Sequence, residues 1–352
     1  MTSRHSHQGD RQSIGWGGSI DQLPRPRLDH LSKLTGPKGL FEHARYDEPR
    51  IEHGYTTDDN ARALSVLAAL GTTLPITPLP IAPYRGFVLS ARNRVGWHNR
   101  LSHRGRWLDR VGSDDSQGRA IWGLSAIALP HDLEVNTALA EAVRTFDSPH
   151  PRANAYAVIG LANLVADGLS WAEPHLFELT TKLPAPRAGR WRWPEHRLTY
   201  ANARLPQALI LAGDVLALAS TLQAGLDLLD WLIDSETLDE CFSFTPHTGR
   251  GLGDRVPAFD QQPIEAWAMA DAALAAWRIE GSGRWLDAIE DASMWFMGRN
   301  DVGLPLYDHS TGAGYDGLHR DRVNLNRGAE STLSALGALA AAHLSRQASL
   351  RS

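Results

Sequence analysis

The chain has 352 residues, 43% of them hydrophobic and 21% charged, a balance that suits a globular protein with a large core and disfavours disorder away from the ends. Thirty-five basic against forty acidic side chains leave a formal net charge of −5 with no long basic cluster, so nucleic acid is excluded as a partner and an uncharged or weakly charged ligand is expected. The single cysteine, Cys241, excludes an intrachain disulfide, and neither a signal peptide nor a membrane span is legible, which together predict a cytoplasmic protein.

In chain order, residues 1–24 are polar and expected to be a flexible N-terminal segment, 25–345 a single domain, and 346–352 a flexible tail. Six apolar segments follow one another at about 58–70, 114–128, 151–165, 200–213, 260–278 and 326–342, each opened by a polar cluster. The fifth holds only Glu265 and Asp271 as ionisable residues between Ile264 and Trp277, so its helix is apolar nearly all round and belongs in an interior. Between these lie one-sided helical patterns through Leu139, Val143 and Phe146, through Leu222, Leu226, Leu229 and Ile233, and through Leu286, Ile289, Ala292 and Phe296, with further outer-helix candidates near 27–35, 81–94 and 172–183. Six inner helices alternating with six outer ones, with almost no period-two strand pattern, predict an all-α (α/α)6 toroid. An open α-solenoid of six hairpins is the alternative. In the toroid the inner helices run parallel, and their polar N-terminal clusters converge on one mouth.

Weak internal repetition supports this layout. Asp58-Asp59-Asn60-Ala61-Arg62 is echoed by Asp114-Asp115-Ser116-Gln117-Gly118-Arg119, and Asn60-Ala61-Arg62 by Asn202-Ala203-Arg204. Two longer connectors, 187–200 with Trp191 and Trp193 and the glycine-rich 300–325, are expected to build up the mouth.

The runs HGYTTDDNARAL (53–64), RWLDRVGSDDSQGRAIWGL (106–124), LTYANARLPQAL (198–209), FDQQPIEA (259–266), GRNDVGLPLYD (298–308) and NLNRGAEST (324–332) resemble a family of bacterial proteins described as glycosyltransferase-associated or glycoside-hydrolase-like. The resemblance spans about residues 27–343 and departs from the family pattern at Gln117, where histidine is expected. It implies a carbohydrate-active protein with a glycosyltransferase as partner. The adjacent aspartates on a toroid are also similar, more distantly, to family-76 endo-α-1,6-mannanases, where such a pair does the chemistry.

Read from the residues, Asp58-Asp59 has two competing roles. Asp is a good N-cap, and negative charge is favoured at a helix N-terminus, so capping alone is about as expected as chemistry. Glu265 and Glu330 sit early in apolar helices, where a carboxylate faces a cavity or a partner, because burial alone is costly. Glycoside cleavage needs two carboxyls across the scissile bond, about 5–5.5 Å apart for retention and about 6.5–9.5 Å for inversion. The candidate catalytic residues are therefore Asp58, Asp59 and Glu265, with Asp59 and Glu265 as the preferred reacting pair and Asp58 with Asp115 placed to orient hydroxyls. Candidate substrate-binding residues are His53, Tyr55, Asn60, Arg62, Asp114, Asp115, Trp191, Trp193, Tyr200, Asn202, Arg204, Asp260, Gln261, Gln262, Tyr315, His319, Asn326 and Glu330.

The expected activity is hydrolysis or phosphorolysis of an oligosaccharide or glycoconjugate. A sugar epimerase or isomerase with a histidine base, or a glycan-binding accessory, is the alternative. No H-x-x-x-H or H-E-x-x-H spacing and no phosphate-cradling glycine motif occurs, so neither a metal nor a cofactor is expected.

Overall fold

The computed structural model describes residues 23–73 and 80–349; residues 1–22 of the expected N-terminal segment and 350–352 of the expected tail lie outside the described residues. Among the described residues twelve α-helices alternate between two layers. The inner helices are α2 (Thr57–Thr73), α4 (Asp114–Ser125), α6 (Pro151–Ala166), α8 (Arg204–Val215), α10 (Pro263–Glu280) and α12 (Ala329–Ser349). The outer ones are α1 (Asp29–Leu34), α3 (Ala82–Ser90), α5 (Leu133–Val143), α7 (Glu173–Thr181), α9 (Ala219–Glu236) and α11 (Gly283–Trp295). Each inner helix packs on the next, and α12 packs back on α2, so the ring closes into an (α/α)6 toroid rather than an open solenoid.

Small residues let the inner helices approach closely. A side chain on Gly123 of α4 would meet the Ala61 carbonyl of α2 at 2.5 Å, and one on Gly118 the Ala153 carbonyl of α6 at 2.3 Å. Outer helices bury one stripe only, as Leu226, Leu229 and Ile233 do on α9.

Helix starts decide what reaches the mouth. The expected segments at 200, 260 and 326 begin later, at Arg204, Pro263 and Ala329. Pro263 fits the first helical position, where its missing N–H would be unpaired anyway, and Ala201, with φ of 45°, turns the chain just before α8. Tyr200, Asp260, Gln262 and Asn326 therefore sit on the approach loops. The helix α12 continues to Ser349, so residues 346–349 belong to it rather than to a tail. The loops carry two-residue antiparallel ladders, such as Tyr55–Thr56 with Arg100–Leu101 and Gly317–Leu318 with Val323–Asn324. No helix among the described residues is long and apolar enough to cross a membrane.

Candidate active site

A cavity of about 680 Å³ opens at the N-terminal end of the inner ring. Its walls come from the first turns of α2, α4 and α12, from the loops entering α8 and α10, and from the connector before α12.

At α2 the capping oxygen belongs to neither aspartate. Thr56 Oγ1 accepts from the Asp59 N–H at 3.2 Å and donates to Asp59 Oδ2 at 2.7 Å, so the Asp59 carboxylate supports the capping hydroxyl and the Asp58 side chain takes no part in the cap. At α4 Ser113 does the same work, accepting from the Ser116 N–H at 3.3 Å. The capping oxygens of α2 and α4 are thus those of Thr56 and Ser113, and of the two acidic pairs Asp58, Asp59 and Asp115 line the cavity.

Asp59 is only 3% exposed, yet lines the cavity. Arg62 donates from Nη1 to Asp59 Oδ1 at 2.7 Å and from Nη2 to Glu330 Oε2 at 2.6 Å, so one guanidinium ties α2 to α12. Burial pushes the Asp59 carboxyl up to about 6 against the pull of Arg62 and Thr56, with Glu330 and Asp58 adding to the rise. Asp58 is held differently. Its Oδ1 lies 3.2 Å from Arg119 Nη1 off the line of a hydrogen bond and has no other donor, while Asn99 Nδ2 donates to Oδ2 at 3.3 Å. Arg119 also stands 3.6 Å from Asp115 Oδ2, and the Tyr200 hydroxyl donates to that same carboxylate. The guanidinium of Arg119 packs over the Tyr156 ring at 4.9 Å. Charges thus alternate around the mouth, from Glu330 through Arg62 to Asp59, and from Asp58 through Arg119 to Asp115 and Tyr200.

The far wall carries histidines. His319 Nδ1 donates to Asp260 Oδ1, which orients the ring, and the Asp260 carbonyl accepts from the His247 N–H at 2.9 Å. Glu42, His43, His247 and Asp316 line the cavity too and were absent from the sequence candidates. Asp316 accepts from Gly328 N–H and Ser331 Oγ, both at 2.7 Å, and burial raises its carboxyl against those donors. The signal for Asp316 was its place in the long connector, in the run Tyr315-Asp316-Gly317. Glu42 and His43 enter from the chain before α2, where no pattern marks them.

Of the candidates, Asp58, Asp59, Arg62, Asp115, Tyr200, Asp260, Gln262, His319 and Glu330 line the cavity. The others lie outside its lining. Glu265 is buried and committed to the backbone: it accepts from the N–H groups of Ala201 and Asn202 and from Asn202 Nδ2, the latter two at 3.0 and 3.1 Å. Those three hydrogen bonds hold the loop entering α8, and burial with the nearby Glu236 pushes the Glu265 carboxyl up to about 8. Trp191 and Trp193 pack on Trp231 of α9, at 5.3 and 6.4 Å between ring centroids, and form an outer-layer aromatic cluster instead of a sugar subsite. Arg204 is buried between Trp122 and Trp267 and paired with Asp271 at 2.7 Å. Asn202 bridges Arg152 and Glu265.

The remaining positions serve local structure. Asn60 accepts from the Leu40 N–H at 3.0 Å. Asp114 turns away to accept from Ser148 Oγ at 2.6 Å. Tyr55 stacks on Phe41, His53 lies edge-on to His43, and Gln261 donates to the Ala258 carbonyl. Tyr315 lies under Arg327, and Asn326 accepts from the Tyr46 N–H. Gln117, at the position where histidine was expected, pairs with both backbone groups of Trp97, at 2.7 and 2.9 Å. Among the described residues no group of three or more His, Cys, Asp or Glu side chains is arranged to hold a metal.

No family model and no curated protein sequence matches the chain. Solved structures do. A sugar epimerase from a ruminal bacterium is 13% identical with a TM-score of 0.69, over 93% of this chain and 98% of that one. The cellobiose 2-epimerase of Bacillus thermoamylovorans is 12% identical with a TM-score of 0.70, over 92% and 96%. An α-1,6-mannanase of Salegentibacter, solved with α-1,6-mannotriose as an inactive variant in which two adjacent aspartates are asparagines, is 11% identical with a TM-score of 0.60, over 90% and 96%. At these identities the likeness is one of fold, and the chain has the (α/α)6 toroid fold that it shares with them.

Proposed function

We propose that the chain is a carbohydrate-active enzyme that cleaves glycosidic bonds, with Asp58 and Asp59 as the reacting carboxyls. The observation that carries this reading is the pairing at α2: two adjacent carboxyls, neither of which supplies the capping oxygen, line one cavity in unlike surroundings. Asp59, buried with its carboxyl at about 6, suits the general acid that protonates the leaving oxygen. Asp58, with an oxygen that lacks a donor, suits the carboxylate that attacks the anomeric carbon or takes a proton from water. Arg119 and Arg62 hold the two in place. The toroidal mannanase whose adjacent aspartates were replaced, and which is described as inactive, supports the same use of the pair. Glu265 leaves the reacting set and becomes a support for the loop that carries Tyr200.

One observation favours a second reading. With Nδ1 of His319 held by Asp260, its Nε2 is the atom left to move a proton at a sugar carbon, as an epimerase or isomerase requires. Incubation with manno-, gluco- and arabino-oligosaccharides in deuterated water separates the two. Cleavage gives shorter oligosaccharides by mass spectrometry. Epimerisation leaves the length unchanged and adds deuterium at carbon.

A further inference from the structure

The cavity is lined by seven carboxyl side chains, Glu42, Asp58, Asp59, Asp115, Asp260, Asp316 and Glu330, against two guanidiniums, Arg62 and Arg119. Both guanidiniums are nine-tenths buried and already committed. Arg62 spends its two terminal nitrogens on Asp59 and Glu330, and Arg119 faces Asp58 and Asp115. Among the described residues, no guanidinium that lines the cavity lacks facing carboxylates and so stands ready to receive a phosphate or a sugar carboxylate. The three histidines of the lining, His43, His247 and His319, do not reverse the sign, since with Asp59 holding its proton the other six carboxyls still outnumber five cationic groups even with every histidine charged. Helix N-termini, which elsewhere bind anions, are occupied here: Asp58 and Asp59 sit in the first turn of α2, Asp115 in that of α4 and Glu330 in that of α12.

We infer that the site takes uncharged glycosides, passes the glycosyl group to water rather than to inorganic phosphate, and rejects sugars bearing a carboxylate or phosphate. This rests on the glycosidic-cleavage reading above and narrows it. In the step, the bond between the anomeric carbon and the leaving oxygen breaks and the oxygen takes the proton of Asp59. Water supplies the hydroxyl at the anomeric carbon, and its proton returns to the carboxyl pair. A phosphate dianion in the place of that water would meet Asp58 and Asp59 with only their own, already paired, arginines as counter-charge.

The test pairs 1,6-linked mannotriose and isomaltotriose with their counterparts oxidised to a carboxylate at C6 of the non-reducing residue. Binding is followed by ligand-observed NMR and cleavage by mass spectrometry, with and without inorganic phosphate. Both are read at about 0.01 M and about 1 M salt, where the screening length falls from about 30 Å to about 3 Å. The inference predicts binding and cleavage at least about tenfold better for the neutral member at low salt, a gap that shrinks at high salt, and no sugar phosphate product. Glu42→Gln should narrow the gap, because it removes one negative charge from the rim. Equal or better use of the oxidised member, or cleavage that requires phosphate, overturns the inference while leaving glycosidic cleavage intact. Neutral-selective binding with no cleavage supports the inference and counts against the cleavage reading. Absence of binding by all four probes overturns the inference.

Discussion

Arg119 lies on α4, yet its Nη1 stands 3.2 Å from Asp58 Oδ1 on α2, while its Nη2 is 3.6 Å from Asp115 of its own helix. The ion pair therefore fixes the Asp58 carboxylate across a helix boundary. Replacing Arg119 with Met removes that hold and leaves Asp58 without its counter-charge. The expected outcome is a fall in kcat of about 10² or more with a smaller change in KM, since positioning of a reacting group is what is lost. Steady-state kinetics on the preferred oligosaccharide checks it, and an unchanged kcat would detach Arg119 from the reaction.

Tyr200 acts one step further out, by donating its hydroxyl to Asp115. Tyr200→Phe should cost about 0.5–1.5 kcal/mol of stability, the net worth of one hydrogen bond, with a somewhat larger loss where the acceptor is charged. Denaturant unfolding reads this directly. Tyr200→Ala should lower activity further, because it also strips the ring that packs 5.3 Å from the Arg152 guanidinium.

The pH dependence follows from Asp59. As general acid it must be protonated, and with its carboxyl raised by burial to about 6, kcat/KM should fall about tenfold per unit as pH climbs above that value. Asp58 contributes to the rise, so Asp58→Asn should move the Asp59 titration downward as followed by carboxyl NMR. A titration that stays put would mean the two carboxyls do not sense one another.

Glu265 gives a stability prediction with a definite sign. Its carboxyl is raised to about 8 in the folded chain, so its contribution is fully present below the unfolded value of 4.5 and is lost as pH rises through 8. Thermal melts of the wild type should decline across that window. Glu265→Gln should flatten the decline, and at acidic pH it should lower stability by about 1–3 kcal/mol, because one amide oxygen cannot serve the three donors from Ala201 and Asn202; that deficit should shrink as pH rises through 8.

The helices were legible because their signals are local. An apolar run opened by a polar cluster marks each inner helix, and a one-sided apolar stripe marks three of the outer ones. Half of the candidate site was legible for a similar reason: Asp58, Asp59, Asp115 and Glu330 sit at helix starts that the toroid brings together. What sequence could not supply was direction. Asp114 and Asp115 are adjacent, yet one turns to Ser148 and the other to the cavity. Glu265 looked like a second catalytic acid because a lone carboxylate in an apolar helix needs a partner. The partner is a loop backbone, and loop conformation, set by the turn at Ala201, is not written in periodicity. His247 and Asp316 were missed because they reach the mouth on irregular connectors, where position depends on tertiary contacts alone. The tryptophans misled in the same way, since the trait that suits Trp to a sugar ring, a broad apolar face, also suits it to packing on Trp231.

The most direct test of the account is to measure turnover of the preferred oligosaccharide by wild type, Asp58→Asn and Asp59→Asn, with thermal melts of all three run alongside. The account predicts that each single substitution reduces cleavage by at least about 10² while the variants still melt cooperatively. Cleavage at the wild-type rate by either variant, or activity lost only in step with folding, would contradict it and return the pair to a structural role.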